Sequence, residues 1–554
     1  MNRSRTAFVT VFLSMLCVQG ALRAAGRGES FDIQGFINHA VEAGQKKIVI
    51  PAGSYRVAPQ SREHLVLSGL RDTEIDATGV EMICTETTRA LTISGCSNLT
   101  LTGLTIDYDP LPFTQGRITA VADDRSFVDF EIIDGYSDEN LELRVEIFDP
   151  QTAELRCPTD FSWQSFERLS RGRWRVRRAS PPGPGDERAG EQAGDILVTN
   201  SIYAPNGSIP HAIYLDNSSN VELRDVSLYA SNCFGFFETC CDGTIYRRCR
   251  VDRRPLDDDI KPRALMRMRS LDADAFHSKY AVKGPALLQC RAHYQGDDCI
   301  NICGDYQIVL AAEGARLRVL AKHGMNIRPE DPLEIFTYAG ERIHGASAVS
   351  VQRIGALTDN EKAFLSQQNM NEYIKGGASG EVYEVVIDRA VELPVGSVIA
   401  AEGRIGSGFR IVGCDFGHNR SRGILVKASD GIISGNRLTG CMEEAIKVSP
   451  EYWWMEAGCS DNLLIENNEI KACSGKGLAV YAHGGTGIPA PAGAHNNIRI
   501  TGNSVKETRG ADIWITSTRG LELSGNSCAE AVLENCDEVR SDMPVKTNNV
   551  TNLH

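Results

Sequence analysis

The feature that most constrains this chain is a spacing. Ile424 and Ile446 stand 22 residues apart, Asn503 and Asn526 23, and Phe276 and Ile300 24. Asn436, Asn468 and Asn503 follow one another at 32 and 35, one such period plus a loop. The phrases around these asparagines are alike: IISGNRLTGC, IENNEIKAC, ITGNSVKET and LELSGNSCAE. Short β-branched runs closed by Gly, Asn or Asp at a fixed period predict an all-β parallel β-helix. One coil cannot bury its own inner face, so stacked coils must share a core, and the turn asparagines are expected to ladder their amides.

FINHAVEAGQKKIVIPAGSYRVAP (Phe36–Pro59) reads as an amphipathic helix, a strand and a Gly turn, the cap that the first coil needs. Two stretches break the period. Residues 115–200 and 305–402 show longer polar–apolar alternation and are expected to be small inserted β-barrel-like domains. The remaining coils then run over 25–114, 201–304 and 403–554, and insertions of this kind cluster on the binding face.

Composition, at 42% hydrophobic and 23% charged, is that of a folded protein. A formal net charge of −14, with no Lys/Arg-rich run, argues against a nucleic-acid partner. Arg3 and Arg5, the apolar region of 12 residues Ala7–Val18 and the small residues of ALRAA (Ala21–Ala25) read as a signal peptide over 1–24, too short to span a bilayer. A periplasmic or extracellular location is expected. Lipid anchoring at Cys17 is disfavoured by bulky Met15 and Leu16, and no later segment is apolar enough to cross a membrane. Cys249, Cys290, Cys441 and Cys473 recur at like places, which fits stacked free thiols better than disulfides. No paired CxxC spacing calls for zinc.

Aligning the coils on Phe276, Ile300, Ile424 and Ile446 places Asp274, Asp298, Arg422 and Glu444 two positions earlier on successive rungs, about 4.8 Å apart. The residue after each anchor, His277, Asn301, Leu425 or Lys447, points away from the coil's core. Asp297, in the turn entering its rung, adds a third carboxylate. A lone Asp at such a turn is commonly a turn former. Three on adjacent rungs, flanked by His277 and Arg422, serve no turn and repel one another. At about 5 Å, like charges drive pKa values apart, which assigns an acid and a base. Such carboxylates suit glycosidic hydrolysis.

DADAFH (Asp272–His277) with GDDCINI (Gly296–Ile302) resembles the acid motifs of polygalacturonase-like hydrolases on the right-handed, pectin-lyase-like β-helix. The next rung departs from them, reading RSRGILVK (Arg420–Lys427) where they carry Gly-His-Gly and Arg-x-Lys motifs. A closer resemblance is to glycoside hydrolase family 110, exported bacterial α-1,3-galactosidases. It is carried by TIDYDPLPFTQG (Thr105–Gly116), VEIFDP (Val145–Pro150), DAFHS with GDDCIN, RSRGILVK and PEYWWMEAG (Pro450–Gly458), with Ala275 where the family's phrase has Gly. The resemblance implies two barrel insertions and an exo-acting, inverting hydrolase without metal or other cofactor. Its substrate would be a terminal α-galactosyl oligosaccharide or glycoconjugate of blood-group-B type, branched and as a further candidate linear. The family's catalytic carboxylates map onto Asp274, Asp297 and Asp298, with Glu330, Glu334 and Glu456 as other candidates for the acid.

The candidate substrate-binding residues are His277, Asn301, Arg422, Lys427, Glu444 and Glu456, and Trp453 and Trp454 can stack on a sugar or serve packing. Two other readings stay open. One is a polygalacturonase-like endo-hydrolase or a polysaccharide lyase, whose acids would bind calcium. The other is a non-catalytic carbohydrate-binding β-helix, whose binding would survive Asp298→Asn.

Overall fold

A computed structural model describes residues 31–138, 141–157, 163–181, 190–204, 207–255 and 266–554. The segment read as a signal peptide lies outside the described residues. Helix Ile33–Glu42 opens the fold: Asp32 caps it by accepting the Gly35 N–H at 2.9 Å, and Ile33, Ile37 and Ala40 cover the first coil. Among the described residues no helix is long and apolar enough to cross a membrane.

The body is a right-handed parallel β-helix. On one face Ile213–Asp216, Phe236–Thr239, Phe276–Lys279, Ile300–Asp305, Ile424–Val426, Ile446–Val448 and Leu478–Val480 stack in parallel. Phe276 lies over Ile300, Ile300 over Ile424 and Ile424 over Ile446, the register that the period predicts. These anchors belong to one continuous core running the length of the coils.

Two ladders reinforce the stack. The Asn436 side chain donates to Asn468 Oδ1 at 2.9 Å, Asn468 to Asn503 at 2.9 Å and Asn503 to Asn526 at 3.0 Å. Asn436, Asn468 and Asn503 also accept a backbone N–H from the coil before, that of Cys414, Asn436 and Asn468 in turn, so each buried amide is satisfied from both sides. Cys249, Cys290, Cys414, Cys441 and Cys473 are free thiols. Cys249, Cys290 and Cys414 sit on successive coils, each donating to a core-facing carbonyl one coil away.

Both departures from the period are insertions between paired coils. Arg89–Ser94 pairs directly with Ile213–Asp216, and between them residues 113–200 form a seven-stranded antiparallel sheet. This sheet stays open where a barrel-like form was expected. Its Ile196 and Val198 join the β-helix core while Leu197, on the opposite face, joins the insertion's own cluster, so the helix body covers a face that closure would otherwise have to bury. Ala286–Leu288 pairs directly with Arg410–Val412, and between them Gln307–Ala401 includes a closed six-stranded barrel around Val309, Leu317, Ile335, Val385 and Ile399. Closure leaves that insertion no free sheet edge.

Candidate active site

A cleft of about 690 Å³ opens above the rungs of Phe276 and Ile300. Leu143 and Arg144 of the first insertion form one wall, Arg420–Arg422 another, and Glu451, Trp454 and Glu456 a third. The floor is the pair of turns that enter the two strands. Gly296 is required there, because a Cβ at this position would stand 2.4 Å from the Asp272 carbonyl oxygen of the preceding turn.

The turns bring Asp274, Asp297 and Asp298 together, with one oxygen of each within 4.8 Å of the others. The Asp298 backbone N–H donates to Asp274 Oδ1 at 3.2 Å. Arg422 holds Asp298 from the next rung, through its own N–H at 2.9 Å and its guanidinium at 3.0 Å. Asp297 faces the cleft and accepts from Arg420 Nη2 at 2.9 Å and Arg144 Nη2 at 3.4 Å. Asn419 ties the turn down, its amide donating to the Asp297 carbonyl at 2.8 Å.

These surroundings separate the three acids. Burial pushes Asp298 well above the ordinary carboxylate value; Arg422 opposes the rise, and Asp274 and Asp297 add to it. Burial likewise raises Asp274, with the charge of Asp297 adding and Arg422 opposing. Burial acts on Asp297 in the same sense, but Arg420, Arg144 and Arg422 outweigh it and hold that carboxyl below its ordinary value. One ionised carboxylate therefore sits beside a pair that retains a proton, the division of labour that acid–base catalysis needs.

A second polar layer lies against the first. His277 Nδ1 is 2.7 Å from Asp274 Oδ2, and the ring stacks on Phe234 at 4.5 Å. Burial keeps His277 neutral, its pKa lowered to about 3. Lys427 Nζ contacts Asn301 Oδ1 at 3.1 Å, Glu456 at 3.0 Å and Glu451 at 3.3 Å. Burial opposes ionisation of Glu456, yet Lys427, Lys322 and Lys279 hold its carboxyl at about 2.

Asp274, Asp297, Asp298, His277, Asn301, Arg422 and Glu456 thus all line one cleft. Lys427 does not: its side chain is wholly buried beneath the floor, where it neutralises Glu451 and Glu456. Glu444 is also absent from the lining and faces Lys476 at 3.8 Å, while its neighbour Glu443 reaches the cleft and Arg422 at 3.1 Å. The turn before Ile446 aims its carboxylates differently from the turn before Ile300, so the two-residue offset fails at that rung. Glu334 is buried against Arg342 at 3.0 Å and borders another cavity, and Glu330 is likewise absent from this cleft. His277, Asn301 and Lys447 point away from the coil's core yet are nearly inaccessible. Strand Ile300–Asp305 pairs antiparallel with Glu456–Ala457, which brings the 450–456 turn over this face.

Sequence reasoning missed Arg144, Arg420 and Glu451. Arg420 and Glu451 lie inside phrases singled out for other reasons, RSRGILVK and PEYWWMEAG, but no spacing rule marks them. Arg144 arrives from a separate insertion and carries no sequence signal.

Comparison with known proteins adds the following. A family model described as a right handed beta helix region matches residues 396–528. Alpha-1,3-galactosidase B of Bacteroides thetaiotaomicron is 22% identical over 522 residues, covering 88% of this chain and 78% of that protein. Among solved structures, a family 28 exopolygalacturonase of Yersinia enterocolitica is similar at a TM-score of 0.39 and 10% identity, over 96% of this chain and 76% of that one. The A-module of a mannuronan C-5 epimerase of Azotobacter vinelandii is similar at a TM-score of 0.38 and 11% identity, over 96% and 94%.

Proposed function

We propose that the protein is a glycoside hydrolase, and more narrowly an exported exo-α-1,3-galactosidase that releases terminal galactose from blood-group-B-type glycans. The observation that carries the hydrolase reading is the acid cluster at the floor of the cleft, where ionised Asp297 lies beside the proton-retaining pair Asp274 and Asp298. Similarity to the Bacteroides galactosidase over most of the chain supports the substrate class.

The proton held by the Asp274–Asp298 pair passes to the glycosidic oxygen as its bond to the anomeric carbon breaks. Asp297 orients a water, takes its proton and directs the oxygen to that carbon. Oxygens within 4.8 Å of one another stand nearer the roughly 5–5.5 Å of retaining pairs than the roughly 6.5–9.5 Å of inverting ones, so the inverting course rests on the family resemblance. Direct attack by that water from the face opposite the leaving group gives inversion with no sugar–enzyme bond. Arg420, Arg422 and Arg144 fix the carboxylates, and neutral His277 orients Asp274.

The same three carboxylates have the spacing of a cation site, which favours the lyase reading as the alternative. Against it, guanidinium groups already occupy oxygens of Asp297 at 2.9 and 3.4 Å and of Asp298 at 3.0 Å, and a cation would have to displace them.

The test is a product assay on branched B-type and linear α-1,3-galactosyl oligosaccharides, with and without chelator. The protein and its Asp274→Asn, Asp297→Asn and Asp298→Asn variants are compared. Free galactose, released initially as the β-anomer by NMR, lost in the variants and indifferent to chelator, is the expected result. An unsaturated product that disappears with chelator would instead establish a lyase. Glycan binding without any cleavage would leave a binding module.

A further inference from the structure

A second cleft, of about 300 Å³, opens on the other side of the Trp453–Trp454 turn and shares Glu451 and Trp454 with the acid-bearing cleft. The turn between them is built to be rigid. Glu451 and Glu456 exchange backbone hydrogen bonds of 3.0 Å each way, and Met455 takes a left-handed φ of 54° to close the loop. Met455 is fully buried below it. Tyr452 donates to the Gly396 carbonyl at 2.8 Å and packs edge-on against Tyr338, both from the inserted barrel segment. From the same segment, the Asn371 N–H donates to the Trp453 carbonyl at 3.2 Å.

With Tyr452 and Met455 turned in, Trp453 and Trp454 are left 43% and 49% exposed. Two adjacent indoles on a surface, fixed by another domain, are unusual for a protein face without a ligand. Opposite them stand Tyr481, His483, Lys447 and Asn369. The loop carrying Gly484 and Gly485 lies flat on the barrel segment, where a Cβ at either would strike Tyr338 at 2.4 or 2.2 Å. Lys447 is committed to Glu451 at 2.6 Å, which leaves aromatic faces edged by the Asn369 amide and the His483 imidazole, the recognition chemistry of a pyranose with its apolar face and rim of hydroxyls.

We propose that this second cleft is the leaving-group subsite, in which Trp453 and Tyr481 stack on the sugars beyond the scissile bond. The proposal rests on the glycosidase reading above. A terminal residue seated over Asp297 and Asp298 has its reducing-side neighbour at the Trp454 wall, and the next sugar then enters the second cleft. The barrel segment, which contributes Asn369 and anchors the turn, thereby selects the glycan rather than the bond.

The experiment compares kcat/KM for p-nitrophenyl α-galactoside, whose leaving group is one small ring, with that for a linear α-1,3-galactosyl trisaccharide. Trp453→Ala is expected to lower the trisaccharide value about tenfold more than the aryl value, mainly through KM, the equivalent of one stacking contact. Trp453→Phe should recover most of the loss. Equal losses on the two substrates would overturn the proposal. If the unmodified protein cleaves neither of these substrates nor the branched B-type oligosaccharide, the glycosidase reading fails separately, and titration with the trisaccharide followed by calorimetry decides for the cleft. Binding that Trp453→Ala weakens would keep it a glycan site; no binding, or binding indifferent to the substitution, would overturn it.

Discussion

Arg422 holds Asp298 twice across one rung of the β-helix: its backbone N–H donates to Oδ1 at 2.9 Å and its guanidinium to Oδ2 at 3.0 Å. The backbone contact does not depend on the side chain, so Arg422→Gln tests the guanidinium alone. Burial raises the Asp298 pKa and Arg422 is the first group opposing that rise. Arg422→Gln should therefore move the alkaline limb of the pH–rate profile upward, because the proton is retained to higher pH. It should also lower kcat by about a hundredfold, as loss of a preorganised donor does. A profile displaced downward would count against Asp298 as a proton carrier.

Asp297 should respond in the opposite part of the profile. Burial favours its neutral form, and Arg420 is the largest influence holding it ionised. Removing that cation in Arg420→Gln raises the Asp297 pKa, so the acid limb of kcat/KM should move toward neutral pH while the alkaline limb stays close to its place. If the acid limb does not move, Asp297 is not the base.

A stability prediction concerns Asp305, buried below the site against Lys279 at 2.9 Å and Lys322 at 3.1 Å. Burial opposes its ionisation, but Lys279, Lys322 and His323 hold the carboxyl well below its ordinary value. A group depressed on folding contributes stability above its unfolded pKa of about 3.9 and loses it only as pH falls through the lower folded value. Asp305→Asn leaves two buried ammonium groups without their anion and should cost about 3–5 kcal/mol at pH 7. The difference in urea midpoint should shrink below about pH 4; a difference independent of pH would contradict the ion-pair account.

The asparagine ladder can be cut at its middle. Asn468 accepts from the Asn436 backbone and side chain and donates to Asn503 and to the Ile433 carbonyl. Asn468→Ala strands the Asn436 donors and the Ile433 carbonyl on the coil before and leaves Asn503 Oδ1 one donor short on the coil after, at about 1–3 kcal/mol for each buried group left unpaired. Thermal unfolding should shift down by several degrees, with the acid cluster, and hence any galactose release at 25 °C, little affected. An unchanged melting temperature would mean that water replaces the amide.

The sequence by itself determined the coil, its register and the three aspartates. A period near 23 residues is a local property repeated many times, and strand alternation turns it directly into which residues stack: Phe276 on Ile300, Ile300 on Ile424. The acids were legible because they sit at a fixed offset from those anchors, and the family resemblance through DAFHS and GDDCIN pointed to the same positions. Tertiary structure decided everything the period does not govern. Glu444 turned to Lys476 because each turn aims its own side chains, and Lys427 went under the floor because Glu451 and Glu456, from a turn outside the repeat, required a buried cation. Arg144 joined Asp297 from an insertion 153 positions away along the chain. Which carboxylate keeps its proton followed from those arrivals, since charge and burial are properties of the assembled cleft and no single segment carries them.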